Sequence, residues 1–297
     1  MFIMDKEKSS RLILIASMVI FGTVGLFRRL LPLPSGAIAM VRGIIGAGFL
    51  ALMLVIGKGK IDFSAMKGQL GKLIFSGAFI GLNWVALFEA FRFTSVSVAT
   101  VCYYMAPIIV VALSPVLLKE KLTLRKTVCV LAALLGAALV SGIFTGQQQG
   151  ERPLLGVLLG FLAAVMYATV VLINKRIENV AAYDRTIVQL GTAGLVLIPY
   201  VLAAETVDWT LFRWNTVILL LIVCIIHTGI AYALYFGSLA GGSGQTAALY
   251  SYIDPIVAVL ISALVLQEKM GFWAIVVTVL VLGAAVLSEL PERSSVK

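Results

Sequence analysis

Charge is scarce in this chain. Only 12% of its 297 residues are Asp, Glu, Lys or Arg, against 61% hydrophobic residues. That shortage excludes a water-soluble domain of this size, which needs a far more polar surface. Cysteine occurs three times, and Cys102, Cys129 and Cys224 lie far apart, each inside an apolar run. They have no metal-ligand spacing and suggest no disulfide, so they read as small buried hydrophobes. Histidine occurs once, which alone makes no metal site. The chain has no His-Glu-x-x-His helix, no Gly-x-Ser-x-Gly elbow and no phosphate-cradling loop, so no catalytic residue, metal or cofactor is expected. Long polar stretches are missing too, which leaves no room for a soluble sensory or partner-binding domain.

What the chain has in quantity is apolar runs. Its mean hydropathy is +1.07. Runs near 20 residues recur at 11–31, 35–56, 70–91, 95–117, 124–143, 154–174, 185–203, 216–238, 243–266 and 272–289. Each can cross a hydrocarbon core ~30 Å thick. They are solid rather than alternating, which excludes barrel strands. The expected fold is an all-α polytopic membrane protein of ten transmembrane helices. Lys6, Lys8 and Arg11 precede the first run, which continues to Leu26 without a small-residue cleavage site, so it reads as a retained helix.

The net charge of +9 could suggest nucleic acid, but its distribution points elsewhere. With ten helices, sixteen of the 23 Lys and Arg residues fall on the side of the N-terminus and six on the other, while Arg42 lies within a helix. This bias sets topology. It places both termini in the cytoplasm and the chain in the inner (plasma) membrane, with lipid rather than nucleic acid as its surroundings.

The halves of the chain resemble each other. Tyr104-Met105-Ala106-Pro107 aligns with Tyr252-Ile253-Asp254-Pro255 at an offset of 148, and Leu118-Lys119-Glu120-Lys121 with Leu266-Gln267-Glu268-Lys269. Gly81, Trp84 and Phe88 meet Gly229, Tyr232 and Phe236 at the same offset. Gly22-Thr23-Val24 meets Ala168-Thr169-Val170 at a slightly different one. Residues 1–145 read as one five-helix repeat, 146–153 as a linker, 154–290 as a second repeat and 291–297 as a cytoplasmic tail. Five helices is an odd number, so the second repeat enters the membrane inverted. Inverted repeats are a recurrent device of secondary transporters.

The stretch Ala90-Phe91-Arg92-Phe93-Thr94-Ser95-Val96-Ser97-Val98-Ala99, then Ala106-Pro107, Lys119-Glu120-Lys121-Leu122 and the Gly136 helix, resembles an EamA domain of the drug/metabolite transporter superfamily. Gly237-Ser238-Leu239-Ala240, Ala247-Ala248, Asp254-Pro255 and Gln267-Glu268-Lys269 repeat it. The resemblance covers essentially the whole chain. It implies ten helices, a central cavity and transport of amino acids or other small metabolites, often outward. Broad drug efflux and import of a cationic metabolite are the alternatives within transport; a membrane-embedded enzyme is the rival outside it.

Candidate site residues are the polar groups that hydrocarbon penalises, since a charge at the bilayer centre costs at least ~2.5–3.5 kcal/mol. Asp254 falls near the midplane of the ninth helix, and Pro255 frees a carbonyl near Ser251, so a kinked helix is expected there. Arg42 and Glu89 could neutralise one another, or Arg42 could hold a substrate carboxylate while Glu89 or Asp254 takes an ammonium group. Trp84, Tyr103, Tyr104 and Tyr252 could line a cavity and offer cation–π contacts. Asn83 and His227 complete the set, the latter as a core histidine or a proton relay. Proton coupling and facilitated diffusion remain equally compatible, and a duplicated chain can form a path as a monomer. Arg28 and Arg29 are expected to snorkel, and Glu120 and Glu268 to pair with adjacent lysines or cap a neighbouring helix. Gly43, Gly46, Gly48, Gly77, Gly81, Gly156 and Gly160 are expected to let helices approach closely. Gly241-Gly242-Ser243-Gly244 reads as a tight turn opening helix nine.

Overall fold

A computed structural model describes residues 6–117, 123–140, 150–239, 250–268 and 272–289, and none of these is in a β-strand. The helices follow the apolar runs. The first run forms α1 (Lys6–Gly22) and α2 (Val24–Leu30), and the second forms α3 (Ser35–Ile56). A single turn, α4 (Phe63–Met66), precedes α5 (Leu70–Phe93). The fourth run is divided into α6 (Val96–Tyr103) and α7 (Ala106–Leu117), followed by α8 (Leu124–Val140), α9 (Pro153–Asn174) and α10 (Ala182–Ala204). The eighth run comprises α11 (Trp214–Leu221), a π-helical stretch at Ile222–Ile230 and α12 (Ala231–Leu239). The last two are α13 (Ile253–Leu264) and α14 (Phe272–Glu289). Among the described residues seven helical stretches, beginning at Lys8, Ser35, Leu70, Val96, Pro153, Ala182 and Trp214, are long and apolar enough to cross a membrane. α8, α13 and α14 occupy the three other expected segments. The Lys119-Glu120-Lys121 stretch, linker residues 146–149, the Gly241-Gly242-Ser243-Gly244 turn and the tail 291–297 lie outside the described residues.

Burial is arranged for lipid. On α9 the large side chains Leu154, Leu158, Phe161, Leu162 and Val165 are exposed along one helical stripe. The opposite face buries Gly156, Gly160, Ala163, Ala164 and Ala168. Small residues inside let backbones meet where no hydrophobic effect drives association. One tight crossing joins α3 and α10: a Cβ on Gly43 would lie 2.6 Å from the Gly194 nitrogen, and one on Gly194 would lie 2.8 Å from the Ile44 nitrogen. Gly77 and Gly81 give α5 the same access to α10, at Gln189 O and Ala193 O.

The packing is unchanged when the halves are exchanged. α5 packs along α9, and α12 packs along α1, its counterpart contact. α10 on α5 is matched by α3 on the π stretch, while α3 lies on α10 and α8 on α14, each against its own mate. The symmetry fails locally in two neighbours. The first helix breaks at Thr23 and the eighth takes its π turn, whereas their mates α9 and α5 run unbroken.

Two sequence expectations need correction. Arg28 does not snorkel: it is buried at 5% exposure, donating to Leu31 O at 3.1 Å and to Ser35 Oγ at 2.8 Å across the turn into α3. Arg29 reaches Glu268 Oε1 at 2.9 Å instead of the lipid boundary. The other concerns Asp254, which is not at the centre of a kinked helix. Ser251 and Tyr252 form a turn, and α13 restarts at Ile253. Pro255 thus sits in a first turn, where its missing N–H costs little. The fourth helix breaks at the equivalent place, Tyr104 and Met105, with Pro107 in the first turn of α7.

Candidate functional site

The two broken helices meet at a cavity of about 250 Å³ between the halves. Part of its lining follows the repeat. Phe21 and Tyr167 both line it, as do Trp84 and Tyr232, Leu87 and Tyr235, Tyr103 and Ser251, Tyr104 and Tyr252, and Ala106 and Asp254. Each pair occupies equivalent positions in the two halves, so the cavity sits on the axis that relates them.

Two charged residues depart from that symmetry. Asp254 stands where the first half has Ala106. It lies in the first turn of α13, where the helix dipole favours a negative group. The Tyr104 hydroxyl donates to Asp254 Oδ2, a hydrogen bond that crosses from one half to the other. Gly22 allows α1 to approach this point, since a Cβ there would stand 2.6 Å from the Asp254 carbonyl oxygen.

Arg42 is the second departure, buried at 5% exposure on α3. Its Nε donates to Thr228 Oγ1 at 2.7 Å, and its guanidinium carbon lies 4.2 Å from the Trp84 ring centroid and 5.7 Å from that of Phe88. The stack and the single hydrogen bond fix the guanidinium plane. Its terminal nitrogens bond no acceptor among the described residues, and Arg42 lines the cavity. Thr228 in turn donates to Val223 O at 3.1 Å, five residues back. That is the π-helical spacing: the extra residue in the turn rotates Thr228 toward Arg42. A cation with free donors and an anion share one aromatic-walled space.

The remaining candidates divide. Trp84, Tyr103, Tyr104, Tyr252 and Asn83 line the cavity with Arg42 and Asp254. Asn83 also has a packing role, because its Nδ2 donates to Ala163 O at 2.6 Å and ties α5 to α9. Glu89 does not line it and does not pair with Arg42. Its carboxylate meets Arg92 Nη1 at 2.9 and 3.0 Å, a partner one turn along α5. His227 is outside the lining as well, buried at 1% exposure. Its Nε2 lies 2.8 Å from Thr23 Oγ1 and its ring 4.6 Å from that of Phe27, so it joins the π stretch to the break in the first helix. Tyr167 was not singled out from the sequence. Its ring centroid lies 5.6 Å from that of Tyr103, and aligning Phe21 with its repeat mate would have found it.

Interrupted apolar helices meeting at an aromatic-walled cavity that holds two charged side chains, in a duplicated bundle, define a class, the multi-pass membrane transporters. Comparison with known proteins agrees. The model of the EamA-like transporter family matches residues 8–142 and again residues 154–290. A Bacillus subtilis (strain 168) protein described as uncharacterized transporter YxxF is 34% identical over 261 residues, 87% of this chain and 83% of that one. An uncharacterized transporter of Clostridium kluyveri is 23% identical over 238 residues, covering 78% and 76% of the two chains. One solved crystal structure shares the fold at a TM-score of 0.66 and 19% identity, over 94% of this chain and 97% of that one. The chain belongs to the EamA-like transporter family, within the drug/metabolite transporter superfamily.

Proposed function

We propose that the cavity is the central site of a secondary transporter for small zwitterionic or cationic organic metabolites, amino acids and amines above all, working by alternating access with export as its direction. The observation that carries this reading is the placement of Asp254 and Arg42, two unlike charges, within one cavity to which equivalent positions of both halves contribute. A substrate ammonium group would be held by Asp254 and the surrounding tyrosine faces. A substrate carboxylate would meet the unbonded guanidinium nitrogens of Arg42, whose planar fork suits that group. The cavity, about 250 Å³, is smaller than the ~300–1,000 Å³ usual for drug-sized ligands, which favours a small metabolite over broad drug efflux. The excess of Lys and Arg on the N-terminal side supports ten spans with both termini in the cytoplasm of a cell (plasma) membrane.

Counterflow in liposomes tests the reading, with a panel of amino acids, polyamines, quaternary amines and sugar phosphates. Saturable exchange of an amine or amino acid is the expected result. Exchange confined to sugar phosphates, or none from folded protein across the panel, would overturn the substrate class. Repeating the assay with the pH gradient collapsed tests coupling: unchanged flux would remove a proton-coupled role for Asp254.

A further inference from the structure

The cavity wall carries a polar feature that its two charges do not account for. Tyr103, Tyr167 and Tyr232 line it, and their hydroxyls have no hydrogen-bond partner among the described residues. Nor are these oxygens sealed in packing: among the described residues, Arg28 Nε is the only fully buried side-chain nitrogen or oxygen that lacks a partner. The three groups sit together. The Tyr103 ring centroid is 5.6 Å from that of Tyr167 and 5.7 Å, edge-on, from that of Tyr104, the donor to Asp254. The Tyr103 and Tyr232 hydroxyls are within electrostatic reach of each other, of Arg42 and of Asp254. Tyr167 is within reach of Tyr103, Tyr232 and Asp254. The hydroxyls thus border the space between the two charges.

Comparison of the halves separates the hydroxyls from the rings that bear them. Where the first half places Phe21, Trp84 and Leu87 in the wall, the second places Tyr167, Tyr232 and Tyr235. Rings without a hydroxyl pack in this wall as well, since Phe21 meets Tyr232 edge-on with centroids 5.1 Å apart. Packing and cation–π contact need only the ring. The phenol oxygen adds a donor and an acceptor, and calls for a polar partner.

The chemistry of that partner follows by elimination. Among the described residues of the lining, Arg42 and Asp254 alone are charged. With these assigned to the substrate's carboxylate and ammonium groups, a third charge would enter unpaired, which is costly away from water. An aliphatic side chain would displace water from the hydroxyls and leave them unpaired. An uncharged hydroxyl or carboxamide would bond them as donor and acceptor.

We propose that Tyr103, Tyr167 and Tyr232 form a side-chain subsite that selects amino acids with a hydroxyl or carboxamide side chain over aliphatic ones of similar shape. The inference deepens the proposed function and rests on the roles given there to Asp254 and Arg42.

Counterflow with shape-matched pairs tests it: threonine against valine, asparagine against leucine, and glutamine against methionine. The readout is the ratio of polar to apolar exchange within a pair, which divides out folding and yield. Wild type should favour the polar member about tenfold in at least one pair, the size of one or two hydrogen bonds. Tyr103→Phe, Tyr167→Phe and Tyr232→Phe keep each ring, and at least one should narrow that ratio about threefold or more. Tyr183→Phe removes a hydroxyl that bonds Leu50 O at 3.2 Å outside the lining, and should leave the ratio at its wild-type value. Exchange without polar preference, a preference that all three cavity variants keep, or an equal narrowing in Tyr183→Phe would overturn the subsite and leave the zwitterion reading standing. Exchange of neither member of any pair would overturn the amino-acid reading and the subsite with it.

Discussion

Replacing Thr228 by valine and by serine separates the two things its side chain does. The hydroxyl accepts from Arg42 Nε at 2.7 Å and donates to Val223 O at 3.1 Å. The methyl fills the space that Gly46 leaves on α3, since a Cβ on Gly46 would meet Thr228 Cγ2 before any other atom. Thr228→Val keeps the shape and leaves a buried guanidinium without its one hydrogen-bond acceptor. A hydrogen bond to a charged group contributes about 1.5–3 kcal/mol, so a loss of that size is expected. Thr228→Ser keeps the hydroxyl and removes one methyl, a change that costs about 0.5–1.5 kcal/mol in a packed interior. Unfolding in mixed micelles, titrated with a denaturing detergent and followed by tryptophan fluorescence, should rank the proteins wild type, then serine, then valine. In counterflow, valine should weaken apparent affinity for a carboxylate-bearing substrate by roughly 10-fold or more, and serine should retain most of it, because a freed guanidinium no longer presents its terminal nitrogens to the cavity. Valine matching the wild type in both assays, or serine falling below valine, would refute the role given to the π turn.

Three further outcomes follow from the packing and polar contacts. Gly43→Ala should destabilise by about 1–3 kcal/mol because its Cβ meets Gly194 backbone 2.6 Å away. Gly48→Ala, with nothing within 4 Å, should be neutral or stabilising by up to about 1 kcal/mol, as measured by the same titration. Tyr104→Phe and Asp254→Asn share one hydrogen bond, so their effects on stability should couple by about 1–3 kcal/mol in a double-mutant cycle rather than add. Asp62, outside the membrane-spanning helices, is held below the ordinary carboxylate range first by the Ser64 hydroxyl and then by the Ala65 and Ser64 N–H groups. Its folded pKa lies below its unfolded one, so its contribution is present above the unfolded value and fades as pH falls through the folded one. Asp62→Asn should remove that part of the acid dependence, and carboxyl titration by NMR should find the Asp62 resonance moving at unusually low pH.

Much of this molecule is legible in its sequence, for physical reasons that also mark where legibility ends. Lipid demands apolar runs with internally satisfied backbone, so spans such as 35–56 and 154–174 are plain from composition, and α3 and α9 match them closely. The repeat is legible because equivalent helices make equivalent contacts, which preserved Tyr104 against Tyr252 and Trp84 against Tyr232. The break before Asp254 was not, because Pro255 reads equally well as a kink in a continuous helix or as the first turn of a new one. Polarity placed Glu89 at the edge of the membrane but not on a face of its helix. Arg92, three residues on, was the nearer partner for it than Arg42. His227 shows the same gap. Its bond to Thr23 depends on a π turn, and an added residue in a helical turn has no sequence signal of its own.

The proposed recognition of substrate rests on a division of labour between Arg42 and Asp254. The direct measurement takes whichever amino acid the counterflow panel finds exchanged, with its N-acetyl and carboxamide derivatives, and runs all three on wild type, Asp254→Asn and Arg42→Gln. Wild type should prefer the free amino acid over both derivatives. Asp254→Asn should lose the preference over the N-acetyl form alone, and Arg42→Gln the preference over the carboxamide alone. If both variants keep the wild-type rates and ranking, neither charge touches the substrate, and the cavity on the repeat axis is not where it binds.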